Sequence, residues 1–123
     1  MEITESALPV LVIDNNEIDI FISTKILEEI GITEITTIKS VTEALLHLSS
    51  TTTKYQLILV ELNLPFKNGF DFINELNLKI PQGKIILISA FFSPVDVEKI
   101  TFLELNFILK PIHNYQLKTV LNI

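Results

Sequence analysis

The chain has 123 residues, 48% of them hydrophobic and 20% charged, which fits one globular domain with one core. Nine lysines, no arginine and fifteen acidic residues give a formal net charge of −6, a poor balance for a surface that must contact nucleic-acid phosphates. The absence of cysteine excludes a disulfide framework, a thiolate nucleophile and a cysteine-based zinc site.

The start, Met1-Glu2-Ile3-Thr4-Glu5, is acidic and lacks the basic region of a signal peptide. Residues 8–13 (LPVLVI) form a continuous apolar run ending at Asp14-Asn15-Asn16, as expected of a strand buried on both faces of a parallel sheet. From Glu17 to Ile30, Ile18, Ile22, Ile26 and Ile30 suggest the inner face of a helix, with Gly31 as its stop. Residues 34–39 (EITTIK) are β-branched and predict a second, more exposed strand. Ser40 and Glu43 have capping-box spacing and open a helix through Leu48, followed by a polar loop at residues 49–53.

Residues 56–60 predict the third strand, which ends at Glu61. After a turn at Leu64-Pro65-Phe66-Lys67-Asn68-Gly69, Asn68 and Asp71 cap a third helix whose inner face reads as Phe70, Ile73, Leu76 and Ile80. Gly69 is assigned to the backbone geometry of that turn. Pro81-Gln82-Gly83 breaks the chain before a fourth strand at residues 84–89. Ser93 caps and Pro94 begins a fourth helix. Residues 106–109 make a fifth strand ended by Lys110-Pro111, and residues 113–122 a last helix. The alternation predicts an α/β fold, a doubly wound five-stranded parallel sheet with helices on both faces, spanning residues 1–123 as a single domain. Apolar runs such as Leu57-Ile58-Leu59-Val60 fall far short of the ~20 residues of a membrane helix. A cytoplasmic protein without membrane contact is expected.

In open parallel sheets, sites form at the carboxyl ends of the strands. Those ends carry Asp14, Asn15 and Asn16, then Glu61 and Asn63, then Ser89, then Lys110. Carboxylates, a hydroxyl and an ammonium should therefore converge in one cleft.

With these residues in place the chain resembles the receiver domain of bacterial response regulators. The likeness covers essentially the whole sequence and rests on VLVIDNNEID, LILVELNLPFKNGFDF, Ser89, Ser93-Pro94 and FILKP, in that order. It implies a flavodoxin-like sheet of strand order 2-1-3-4-5. It also implies a magnesium ion held by acidic residues after the first strand and an Asp after the third, the latter accepting a phosphoryl group from a histidine kinase. Carried over, Ser89 and Lys110 contact the phosphoryl oxygens, Phe107 is the switch aromatic, and Asn63 lends a carbonyl to the metal.

The chain departs from this pattern at two positions. The phosphoacceptor position holds Glu61, and Asn15 stands beside Asp14 where a second acid is usual. Glu reaches roughly 1.5 Å further than Asp, one C–C bond. Phosphoryl transfer depends chiefly on positioning, so such a shift is damaging. Asp14, Glu61 and Asn15 supply two negative charges where the family usually has three, so with Asp14, Glu61 and Asn63 as metal ligands magnesium binding is expected to be weak or absent. The longer Glu61 is expected to pair with Lys110 and so imitate the phosphorylated state.

Each residue also has a plainer reading. Asp14 or Asn15 could serve only as a helix cap, Ser89 could satisfy backbone groups, and Lys110 could be an ordinary surface lysine. Phe107 reads as core rather than switch, because a site that takes no phosphoryl group has no trigger. His47 and His113, on different helices, read as incidental. Of Phe91 and Phe92, at least one is expected to be exposed as an apolar contact. The bulky Leu103-Glu104-Leu105 is expected to reshape the face of the fourth helix, fifth strand and fifth helix, the usual partner face of the family.

The expected function is a stand-alone, non-enzymatic receiver-like domain of a phosphorelay, without an output domain, acting on a histidine kinase or effector by protein contact. A working phosphotransfer receiver is the rival. A nucleotide or flavin binder lacks support, since no glycine-rich loop follows a strand.

Overall fold

A computed structural model describes residues 8–76 and 84–122. Among them, five strands alternate with five helices: β1 (Val10–Ile13), α1 (Glu17–Glu29), β2 (Ile35–Ile38), α2 (Val41–Ser50), β3 (Leu57–Glu61), α3 (Gly69–Leu76), β4 (Lys84–Ser89), α4 (Pro94–Leu103), β5 (Asn106–Leu109) and α5 (Asn114–Leu121). All pairings are parallel and the strand order is 2-1-3-4-5, the flavodoxin-like arrangement. Ile80 and the break at Pro81-Gln82-Gly83 lie outside the described residues, as does the Met1–Glu5 start. No described helix is long and apolar enough to cross a membrane.

Both faces of the sheet are covered, and alternation along the strands divides the core. Leu11, Ile13, Ile58, Val60 and Leu87 pack with Val41, Ala44, Leu48, Phe72, Leu76 and Ile100 from α2, α3 and α4. Val10, Val12, Leu59, Ile86 and Ile88 point the other way, towards Leu27 of α1 and Leu117 of α5. That is why β1, β3 and β4 read as unbroken apolar runs. Each such side chain gains about 1.5–3 kcal/mol on full burial.

The expected caps form. Ser40 accepts the Glu43 N–H at 3.1 Å, and Ser93 accepts that of Asp96 at 3.0 Å. Asn68 accepts the Asp71 N–H at 3.0 Å while the Asp71 carboxylate accepts the Asn68 N–H at 2.9 Å. Gly31 ends α1 at a left-handed φ of 97°.

Two expectations hold in part and one is corrected. On α1 the buried residues are Ser23 and Leu27, and Ile18 is 71% exposed. A four-residue spacing advances about 40° per step on a helix of 3.6 residues per turn, so the row meets the core only in part: Ile26 and Ile30 pack against it and Ile18 does not. On α3 Ile73 and Leu76 are buried and Phe70 packs half-buried against the core, with the Lys99 ammonium 4.5 Å from its ring centre, while the fully buried aromatic is Phe72. The left-handed residue of the turn is Phe66, at φ 68°, and not Gly69. Gly69 serves a close approach instead. A Cβ there would lie 2.6 Å from Leu87 Cδ2 and 3.1 Å from Leu62 Cα.

Candidate functional site

The sheet register sets the strand ends side by side. Ile13 pairs with Val60, Glu61 with Ile88, and Ser89 with Leu109. The ladder runs one step past the strands, with the Lys110 N–H donating to Ser89 O at 2.8 Å and the Leu62 N–H to Ile88 O at 2.9 Å. Asp14, Glu61, Ser89 and Lys110 thereby meet at the carboxyl edge. Asp14, Glu61 and Ser89 are the buried polar residues there, at 1%, 8% and 2% exposure.

Lys110 is the centre of the cluster. Its Nζ lies 2.9 Å from Asp14 Oδ2, 2.8 Å from Asp19 Oδ2 and 2.6 Å from Glu61 Oε1. The ion pair expected between Glu61 and Lys110 is present. Burial pulls the lysine pKa down, but hydrogen bonds to Asp14, Asp19 and Glu61, with the Asp14 charge, outweigh it and hold Lys110 above its ordinary value. Lys110 is therefore charged, and one ammonium faces three carboxylate groups.

The second oxygens are also engaged. Glu61 Oε2 accepts the Asn63 N–H at 2.8 Å, and Asp14 Oδ1 accepts the Asn16 N–H at 3.1 Å. The Asn63 side-chain amide donates to Ser89 Oγ at 2.9 Å, and the Phe91 N–H reaches the same hydroxyl at 3.4 Å. The hydroxyl is thus tied to the loop after β3, and the ammonium to the acids.

Asp14 does not cap α1, and Lys110, with a side chain only 10% exposed, is not an ordinary surface lysine. Asn16 is the cap of α1, accepting the Asp19 N–H at 2.9 Å, so Asn15 is neither cap nor pocket residue; it is exposed and none of the contacts described for the cluster includes it. The third acid is Asp19, which the sequence reading missed. Its signal is its position: it is the third residue of α1, three after the cap, so it stands on the first turn above the end of β1. The expected shortfall of one negative charge is thereby corrected.

Phe107 is corrected as well. It is 45% exposed and meets the half-buried Phe92 edge-on, with centroids 5.0 Å apart. β5 is an edge strand, so one flank of it lacks the cover that buries β1 and β3. Phe91, as expected of one of the pair, is exposed at 65%. His47 bonds the hydroxyl of the buried Tyr55 at 2.7 Å, and His113 stacks on Tyr115; neither joins the cluster.

The donor set does not suit a magnesium ion. Asp14, Asp19 and Glu61 converge on a nitrogen at hydrogen-bond distance, whereas magnesium requires oxygens at ~2.0–2.1 Å in near-octahedral geometry. No group of three or more His, Asp or Glu among the described residues is spaced to hold a metal ion.

Residues 10–122 match the family model of the response regulator receiver domain. The chain belongs to that family. No curated protein matches the sequence. Among solved structures, the two component response regulator from Cytophaga hutchinsonii is similar at 23% identity and TM-score 0.81, covering 93% of each chain. A receiver domain (CheY-like) from Methylobacillus flagellatus is similar at 24% identity and TM-score 0.78, covering 94% of this chain and 96% of that one. The receiver domain of the histidine kinase CKI1 from Arabidopsis thaliana, complexed with Mg2+ and BeF3−, is similar at 20% identity and TM-score 0.77, over 96% of this chain and 91% of that one. At these identities the likeness establishes the fold.

Proposed function

We propose that this receiver domain works as a phosphorylation-independent pseudo-receiver, a non-enzymatic signalling module that acts by protein contact. The observation that carries the reading is the Glu61–Lys110 pair at 2.6 Å. A carboxylate one methylene longer than Asp reaches the ammonium that the family reserves for a phosphoryl oxygen. Its other oxygen is held by the Asn63 N–H, so Glu61 is fixed as an acceptor of hydrogen bonds. It is poorly placed as a nucleophile, which must be free to approach phosphorus in line. Ser89, the other phosphoryl-contact position, already accepts from Asn63. The crowding at Lys110 supports weak or absent magnesium binding.

A partner, either a histidine kinase or a downstream effector, would read the surface around α4, β5 and α5. Phe91, Val95, Phe102, Phe107, Leu109 and Tyr115 are exposed there, an unusual density of large apolar side chains for a solvent-facing surface. Incubation with a small-molecule phosphodonor and magnesium, followed by intact mass, tests the reading. The unmodified mass is expected. Stable gain of one phosphoryl group on Glu61 would replace this reading with a working phosphotransfer receiver.

A further inference from the structure

A lysine ammonium has three N–H donors and no acceptor. Lys110 has three carboxylate partners, one for each donor. The acids are also clamped from behind. Asp14 Oδ1 and Glu61 Oε2 each accept a backbone N–H, and Asp19 sits in a helix turn whose cap, Asn16, binds its own N–H. Each acid aims one oxygen at the same nitrogen.

We infer that the Lys110 ammonium is the resident cation of this site, and that Asp19 is the positioning residue that holds it there in place of a divalent metal ion. The inference deepens the reading above and rests on its Glu61–Lys110 contact.

Charge still draws cations to the site, and space keeps a second one out. Three carboxylates facing one ammonium retain an excess of two negative charges, so the site still attracts a cation. A divalent ion brought to the convergence point meets a side chain that is only 10% exposed and already positive. The ammonium must leave for the metal to enter. On the α1 side its surroundings are a cleft of about 10 Å³ between Asp19, Ser23, Lys110 and Pro111, room for roughly one water. Asp19 lines that side. Its side chain is the most exposed of the three acids, at 32% against 1% for that of Asp14 and 10% for that of Glu61, and it is the partner contributed by a helix and not by a strand end. Asn15, where the family has an acid, supplies no charge.

Mn2+ is a suitable probe, with binding read by electron paramagnetic resonance and Lys110 by its ¹⁵N ammonium signal. In the unaltered protein, millimolar Mn2+ should stay free, and Mg2+ should leave a slowly exchanging Lys110 signal unmoved. Asp19→Asn should speed the exchange of that signal while the fold persists, an effect that a purely structural role for Asp19 would not produce. Lys110→Met should leave three carboxylates without their cation and bind Mn2+ at least about tenfold more tightly, the scale on which neighbours tune metal sites. Binding of Mn2+ by the unaltered protein, an unchanged Lys110 signal in Asp19→Asn, or a folded Lys110→Met with no gain in affinity would each overturn the inference. Should Lys110→Met not fold, the first two measurements still decide. Uptake of a phosphoryl group, in contrast, counts against the reading of Glu61, so the two failures are distinct.

Discussion

Lys67 and Lys110 both meet carboxylates at good distances, and they do so in different surroundings. Lys67 Nζ reaches the two oxygens of Glu75 at 3.0 and 2.8 Å, with 44% and 37% of the two side chains exposed. Lys110 reaches three acids at similar distances while only 10% exposed. Water screens the first pair, and the two long side chains lose freedom to form it, so it is worth little. In the second, removing the ammonium strands buried charges, so its loss is severe. Distance alone does not separate the two; burial and the number of partners do.

Substitutions should spread along that contrast. Lys110→Met should cost about 3–5 kcal/mol in chemical denaturation, since it leaves buried carboxylates without a counter-charge. Glu61→Gln should cost less, about 1–3 kcal/mol. Glu61 uses both oxygens as acceptors and Gln offers one, although relief of repulsion from Asp14 and Asp19 offsets part of the loss. The same variant should alter partner affinity, measured by calorimetry, if Glu61 sets the signalling state. Asp19→Asn keeps an acceptor for Lys110 and should cost about 1 kcal/mol. Lys67→Met should fall within about 0–1 kcal/mol. A Lys67 effect as large as that of Lys110 would break the contrast.

Alkali sharpens it. The folded state holds the Lys110 proton more tightly than the unfolded chain, because its pKa is raised above the ordinary 10.5. The stabilisation from that ammonium is therefore complete below 10.5 and lost as pH rises through the higher folded value. The stability gap between the unaltered protein and Lys110→Met should stay flat from neutral pH to about 10 and narrow beyond it, as followed by urea midpoints.

Much of the fold is written in local patterns. Strands β1, β3 and β4 are apolar runs because the sheet is covered on both sides, and Ser40, Asn68 and Ser93 cap helices where such residues should. The strand ends likewise single out Asp14, Glu61, Ser89 and Lys110. Less visible was anything that depends on how an element is rotated or covered. Asp19 stands 91 positions before its partner in the chain, and only the seating of α1 over the end of β1 brings it to Lys110. The row from Ile18 to Ile30 suggested a different seating of that helix. Phe107 looks like core in sequence, and its exposure follows from β5 being an edge.

Gly69 has a mechanical consequence. Helix α3 begins against the backbone of β3, and the position of a Gly69 Cβ would be 3.3 Å from the carbonyl oxygen of Glu61 itself. Gly69 thus meets β3 through backbone and β4 through the Leu87 side chain. A larger residue at position 69 would therefore have to push the start of α3 away from the strand that bears the site carboxylate.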